Sequence, residues 1–327
     1  MRRIAAALAM IAAIGWGAAA QAQSYPVRPV RLIVPFPAGG PVDVMGRLIA
    51  QSLSATLAQQ VMVDNRPGAG STLAGREAAR AEPDGYTLLL GSAATLAIGP
   101  ALFKNIGYDP IKSFTPVAFM SSVPYVMVAG PKAPASSVKE LIAYAKANPG
   151  KLNLGVPNGA PPHMLAAWFR DATATDIVVV PYKGAATVIT DLIGGQIDLG
   201  FETTSVTLSH LHEGTIRPLG VAARQRLPAL PDVPTMIESG VKDFVASSWT
   251  GILAPAATPP EIVDKLHAEV KRIMAMPEVQ QKFIDLGNIP LASPPPAELA
   301  RYVKSEIVRW GKIVQSAGAA GGEPGAQ

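Results

Sequence analysis

The side chains that could do chemistry in this chain are few and mostly neutral. Asn65, Ser71, Ser92, Thr95, Asn158 and Tyr182 each fall in a short turn after an apolar run, and Lys183 is the cation on such a turn. Hydroxyls and amides of this kind orient a small ligand by hydrogen bonds, while Lys183 reads equally as a ligand contact or a solvated loop residue. Nucleophilic catalysis asks for an activating base, and none flanks Ser71, Ser92 or Thr95 in sequence; no G-x-S-x-G elbow occurs either. His212-Glu213 lacks the second histidine of a zincin. His163, His210, His212 and His267 read as solvated surface residues rather than metal ligands: His210 and His212, two apart, diverge on a helix, and His267 lies among charges. Gly68 and Gly70 are followed by Leu73 where a dinucleotide fingerprint needs its third glycine. No cofactor and no metal site is expected.

Turns need elements to hold them. Residues 34–53, VPFPAGGPVDVMGRLIAQSL, follow the apolar strand Val30 to Val34 and open a helix in which Val42, Met45, Ile49 and Leu53 share a face. Gly40 fits an N-cap, Pro41 a first helical position, and Asp43 the first turn, where the helix dipole favours negative charge. A turn free of side chains directs backbone N–H groups outward, and an anion can approach them closely. Taken alone, the loop is equally compatible with a tight connection that binds nothing. Asp43 reads more readily as a capping charge than as a ligand contact.

The same grammar continues. Val61 to Val63 ends in a glycine-rich turn at Asn65 to Ser71, and Tyr86 to Leu90 ends at Gly91 to Thr95. A second series begins near Val123: strands at Tyr125 to Val128, Leu152 to Val156, Ile177 to Val180 and Ile197 to Phe201, with turns at Pro157 to Ala160 and Pro181 to Gly184, and Glu202 delivered at the last strand's end. Leu227 to Pro234 is expected to be a proline-rich surface connection, and Trp168 and Phe169 helix core rather than a stacking platform. The helices after Pro260 have no strands of their own and should cover the first sheet. The chain is therefore expected to cross between two α/β domains twice, 23–123 with 248–317 forming one and 124–247 the other, with a disordered tail at 318–327. Two crossings make a hinge, and ligands in open α/β sheets bind beyond the carboxyl ends of the strands.

Composition limits the partners. The first residues, basic at Arg2 and Arg3, apolar from Ile4 and ending Ala20-Gln21-Ala22, read as a secretory leader over 1–22, which places the mature protein outside the cytoplasm. The chain has no cysteine, so disulfides and thiolate metal sites are excluded. Its formal charge of +4 includes Arg2 and Arg3, and with 16% charged residues, scattered, it has no basic stripe for nucleic acid. No later apolar run reaches the roughly 18 residues of a spanning helix.

The segments YPVRPVRLIVPFPAGGPVDVMGRLIA, VMVDNRPGAGSTLAG, AEPDGYTLLLGSAAT, VVPYKGAATVITDLIGGQIDLGF and SSWTGILAPAATP resemble, in order, those of the Bug family, periplasmic solute receptors of tripartite tricarboxylate transporters. The resemblance covers nearly the whole mature chain. It implies a type II periplasmic binding protein fold, two Rossmann-like lobes joined by a two-segment hinge, with a ligand carboxylate held in the cleft largely by backbone amides and partnered by membrane transporter subunits; the protein would be a periplasmic monomer. By matching position, Pro37, Ala38, Gly39, Gly40, Asp43, Asn65, Ser92, Ala93, Thr95 and Leu96 would line the first lobe. Pro157, Asn158, Gly159, Ala160, His163, Tyr182, Lys183, Gly184 and Glu202 would line the second. Leu96 stands where the family often has histidine, which implies a less polar pocket and a carboxylate with an apolar or aromatic body; Glu202 stands where aspartate is usual. A ligand sensor for a membrane kinase would use the same cleft, and an exported hydrolase of small esters or amides is the alternative from a different class.

Overall fold

The computed structural model describes residues 25–158 and 160–316; the expected leader, Gly159 and the expected tail lie outside them. The first half opens as the periodicity predicts. β1 (Val30–Val34) leads to α1 (Pro41–Leu57), then β2 (Val61–Asn65), α2 (Thr72–Ala79) and β3 (Thr87–Ser92), with β1 paired in parallel to both β2 and β3. α1 starts at an extended Gly40 with Pro41 in its first turn, buries Met45, Ile49 and Leu53, and stops at a left-handed Ala58. After β3 the chain does not simply turn. Ala94–Ile98 forms a π-helical turn that runs into α3 (Gly99–Leu102), because Thr95, Leu96, Ala97 and Ile98 are all drawn into the core.

β4 (Phe114–Ala129) is far longer than the strand expected from Tyr125. Pro116 and Pro124 interrupt this stretch in sequence, but Pro116 sits at a shift of register against β9 (Ser247–Pro255) and Pro124 at the last pair of that ladder, opposite Ser247, where a residue that cannot donate is tolerated. Between these strands lie α4 (Val138–Ala147), β5 (Asn153–Pro157), α5 (Pro161–Thr173), β6 (Val178–Tyr182), α6 (Ala185–Gly194), β7 (Leu199–Thr203), α7 (Thr204–His212) and β8 (Arg217–Val221). Then follow α8 (Pro260–Met274), α9 (Pro277–Asp285), the short β10 (Ile289–Pro290) and α10 (Pro296–Ser316). α4 carries the clearest cap: Ser137 Oγ accepts from the Glu140 amide while Glu140 accepts from Ser136.

The strand order is β2-β1-β3-β9-β4-β7-β5-β6, with β8 and β10 also on β4. Up to Pro124, β4 pairs with β9; from Tyr125 onward it pairs with β7 and β8. A strand of 16 residues spans about 50 Å at roughly 3.3 Å per residue, so this one strand serves both halves. α1 and α8 pack on one face of the first sheet through Met45, Ile49, Leu266 and Val270. α10 leans on both halves: Leu299 and Val303 share a core cluster with Phe119, and Trp310 and Val314 share it with Phe169 and Phe244, while Arg309 donates to the Val245 carbonyl. Leu227, Leu230 and Val233, expected on a surface connection, are buried in the cluster under β8, since three apolar side chains on an irregular segment gain more by covering that sheet than by facing water.

The halves also touch where Thr204, at the start of α7, donates to the carbonyls of Pro124 and Gly287. Gly287 has φ +74, and a Cβ there would lie 2.8 Å from the Thr204 carbonyl carbon, whereas Gly214, with φ +70, faces open space. We expect Gly287→Ala to destabilise the protein by roughly 1–3 kcal/mol and by clearly more than Gly214→Ala, compared in denaturant melts of the two variants.

Candidate functional site

In the first half β4 runs in the same direction as β3, each being antiparallel to the β9 between them. It leaves that sheet at the carboxyl ends of β1, β2 and β3. In the second half Tyr125, where β4 enters, lies opposite Thr203, the carboxyl end of β7, and β5 and β6 run parallel to β7. The strand-end turns of both halves therefore border the same crossover. The pairing of β4 thus brings the strand ends at Val34, Asn65, Pro157, Tyr182 and Thr203 to the two sides of one crossover.

The wall from the first half is the loop Pro37 to Gly40. Pro37, Ala38 and Gly39 are exposed, and Gly39 holds φ +82 with nothing near its missing side chain. The amides do not all point outward, as the sequence suggested. Gly39 N–H donates to Asp43 Oδ2 at 2.8 Å, and Gly40 N–H makes a long 3.4 Å contact to the Pro37 carbonyl. What remains for a ligand is the start of α1, where Val42 and Asp43 carry two of the amides that a helix leaves without an internal partner.

Asp43 is 1% exposed and saturated. Oδ1 accepts from Asn65 Nδ2 at 2.8 Å, and Oδ2 accepts from Gly39 N and from Arg47 Nε at 2.9 Å. Asn65 also donates to the Phe36 carbonyl and accepts from Arg47 Nη2. Burial raises the Asp43 pKa, but the hydrogen bonds from Arg47, Asn65 and Gly39 outweigh it and hold the carboxyl below its usual range. Asp43 and Asn65, expected as lining residues, thus sit beneath the loop and set its shape. Arg47, one helical turn after Asp43, was missed; the i,i+4 spacing of Asp43 and Arg47 was the available signal.

Ser92, Ala93, Thr95 and Leu96 are each 3% exposed or less. Ser92 Oγ lies 3.4 Å from Thr95 Oγ1, and the Thr95 carbonyl accepts from Tyr108 Oη. Leu96 lines a small hollow on the outer side with Ile111, Phe114, Val303 and Lys304. The case for an apolar-bodied ligand rested on Leu96, and this placement gives it no support: the π-helical turn rotates the side chain into the core.

The opposite wall is more open. Asn158 and Lys183 are exposed, and Ala160, His163, Tyr182 and Gly184 are half-buried. Asn158 N–H donates to the Tyr182 carbonyl at 2.8 Å, tying the two turns together. Tyr182 Oη donates to Asp191 Oδ2, and burial, aided by that carboxylate, pushes the phenol up to about 12. Burial lowers the His163 pKa, favouring the neutral ring. α5 begins at Ala160 and α6 at Gly184; neither has a side-chain cap or an acidic residue in its first turn. α8 and α9, on the far side, also lack side-chain caps but carry Glu261 and Glu278 there. Gly184 is fully extended at φ 178, a conformation open to any residue, and a Cβ on it would meet no atom of the protein within 4 Å.

Glu202, on β7 opposite Val126, is 3% exposed. Its Oε1 is buried without a hydrogen-bond partner among the described residues. Burial pushes its carboxyl up to about 8 against a smaller opposing effect of the Thr203 amide.

Of the histidines, His267 is not simply solvated: its Nδ1 lies 2.8 Å from the Val117 carbonyl, joining α8 to β4. Trp168 is stacked on Phe244 with centroids 4.3 Å apart, and Phe169 is fully buried. Among the described residues no three His, Asp or Glu side chains gather as a metal set, and no helix is long and apolar enough to cross a membrane.

Two half-sheets sharing one long strand, with strand-end turns bordering the crossover, define a two-lobed solute-binding protein of the periplasmic type. The model of the tripartite tricarboxylate transporter family receptor matches residues 45–319, and the chain belongs to that family. Protein BugT of Bordetella pertussis is 36% identical over 322 residues, covering 98% of each chain. Rhodopseudomonas palustris Rpa4515, solved with adipate, is 35% identical with a TM-score of 0.81, covering 90% of this chain and 98% of its own. MatC (Rpa3494) of the same organism, solved with bound malate, is 35% identical with a TM-score of 0.76, covering 89% of this chain and all of its own.

Asp43→Asn would turn an amide toward the donors of Gly39, Asn65 and Arg47 and should destabilise by roughly 1–3 kcal/mol. Because the folded pKa lies below the usual aspartate value, the stabilisation is full above that value and lost as pH falls through the folded pKa. The gap between wild type and variant in urea melts should therefore be full at neutral pH and close in acid.

Proposed function

We propose that this protein is a periplasmic receptor that captures a small carboxylate between its lobes and hands it to a tripartite tricarboxylate-type membrane transporter, the mature monomer being exported behind residues 1–22. The observation that carries this reading is the start of α6 at Gly184, without side-chain cap or acidic residue, placed across the crossover from the start of α1; α5 opens with Pro161 and Pro162, which have no N–H, and its His163 amide is bonded to the Ala160 carbonyl. Partial positive charge on such amides suits an anion and needs no buried counter-ion. Lys183, exposed on the turn before α6, adds the cation nearest these amides. The lining set for the second lobe is Pro157, Asn158, Ala160, His163 and Tyr182 to Gly184; for the first it is Pro37 to Gly40, with Asp43 and Asn65 in support.

Adipate and malate in the relatives point to a dicarboxylate, with one end on these amides. The protein acts by binding and not by turnover: among the described residues no base is bonded to Ser92 or Thr95, and the family is one of receptors. Capture shifts the hinge because the closed form adds the second wall, and only that differential affinity moves the equilibrium.

A thermal-shift screen of adipate, malate, citrate and benzoate tests the reading. An acid present at about a hundred times its Kd should add about 2.7 kcal/mol and be recovered chemically unchanged; failure of every acid to raise Tm would sink the proposal. Gly184→Val should fold as the parent does, within about 0.5 kcal/mol, yet weaken binding of the best acid tenfold or more in calorimetric titration, since the new side chain occupies the space in front of α6.

A further inference from the structure

Glu202 is a buried carboxyl group for which the described residues provide no cation and whose Oε1 has no hydrogen-bond partner among them. It lies one residue from the carboxyl end of β7, and the pairing of Val126 with Glu202 and Val221 puts it on the face of the sheet where Val126, Val188 and Val221 form the core. The elements around it leave it no cation. α6 contributes Asp191, which is engaged with Tyr182 Oη. α7 carries His210 and His212 at its far end, and Arg217 of β8 donates to the carbonyls of Ala133 and Ala135. Tyr125 of β4 is the titratable neighbour that senses the Glu202 charge, and Lys183 stands exposed on the turn before α6. Among the described residues none of these forms a hydrogen bond or ion pair with Glu202.

A carboxylate held in such a place without a counter-charge is strongly disfavoured, so the group keeps its proton. A protonated acid is a donor as well as an acceptor, and a buried donor without a partner is an incomplete interaction. Resting on the receptor reading, we infer that Glu202, buried at the crossover end of β7, is a neutral carboxylic acid that donates its hydrogen to an oxygen of the bound dicarboxylate. The ligand's first carboxylate lies on the helix amides and its second oxygen set on Glu202, so the receptor recognises the dianion while itself holding one proton. A carboxyl at this position thereby favours dicarboxylates over monocarboxylates. It also makes capture depend on pH: affinity is full while Glu202 is protonated and falls as pH rises through its pKa of about 8.

Stability carries the same sign. The folded pKa lies above the ordinary glutamate value of 4.5, so the folded state binds more protons than the unfolded one between 4.5 and about 8, and the wild type loses stability as pH rises across that window. Glu202→Gln, which keeps a donor and removes the titration, should lose less over the same range.

The test titrates adipate and malate into wild type, Glu202→Gln and Glu202→Met from pH 6 to 10. Wild-type affinity should fall about tenfold per unit above pH 8, with one proton taken up per ligand bound, read from buffers of different ionisation heat. The glutamine variant should show a flat profile without proton uptake, and the methionine variant should bind tenfold or more weakly at every pH while melting cooperatively. Infrared difference spectra at pH 7 should show the carbonyl stretch of a protonated carboxyl in wild type that is absent from both variants. Parallel pH profiles for wild type and Glu202→Gln, or an ionised Glu202 at pH 7, overturn the inference and leave the receptor reading standing. If neither acid binds any of the three proteins at any pH while the infrared band is present, the dicarboxylate reading fails and this inference falls with it.

Discussion

The ladder between β4 and β9 is the constraint on which the molecule depends. Each half-sheet needs a strand from this pair, and neither strand can leave without exposing a row of backbone donors and acceptors. Because β4 changes partners between Pro124 and Tyr125, two independently twisted half-sheets meet with their carboxyl edges toward one another. Pro124 is suited to the change, since its missing N–H removes one bond where the two ladders part. α10 adds a third link through Arg309 and Val245, so relative motion of the lobes must also slide or bend that contact.

The charges near the crossover follow one logic. Asp43 carries a full negative charge in the first lobe but surrounds it with Arg47, Asn65 and the Gly39 amide, so that its effect is spent on holding the loop. α6 leaves its first-turn amides free of acidic neighbours. Amides provide attraction without the desolvation that a buried lysine or arginine would suffer, which suits a site that must release what it binds. Glu202, with no cation beside it, is compatible with an anionic guest because it is neutral when protonated.

Much of the fold was legible. Gly40-Pro41 followed by Asp43 marked the start of α1, and Pro260 marked the start of the helices that follow the last long strand, because caps and prolines act within four residues of chain. β4 was read too short: Pro116 and Pro124 interrupt it, and only the shift of register at Pro116 and the change of partner after Pro124 make them tolerable. The two-residue β10 and helix α7 depend on contacts with β4 that local pattern does not encode. At the site, the strand-end loops lie where the sequence reading put them, while Ser92 to Leu96, read as a ligand-lining turn because Gly91-Ser92 looks like a strand end, are buried by the π-helical turn.

Sequence alone determined the alternation of strands and helices, the residues at the strand ends, the absence of thiols and of a hydrolytic elbow, and the family. These follow from local geometry: periodicity, capping and proline restrict the backbone over a few residues. Tertiary structure alone decided that Asp43 faces inward to Asn65, that Leu96 turns into the core, and that Glu202 is buried with no counter-charge among the described residues. Each of those outcomes depends on which atoms from distant segments share a buried volume, and burial, unlike helix phase, is a property of the assembled sheet.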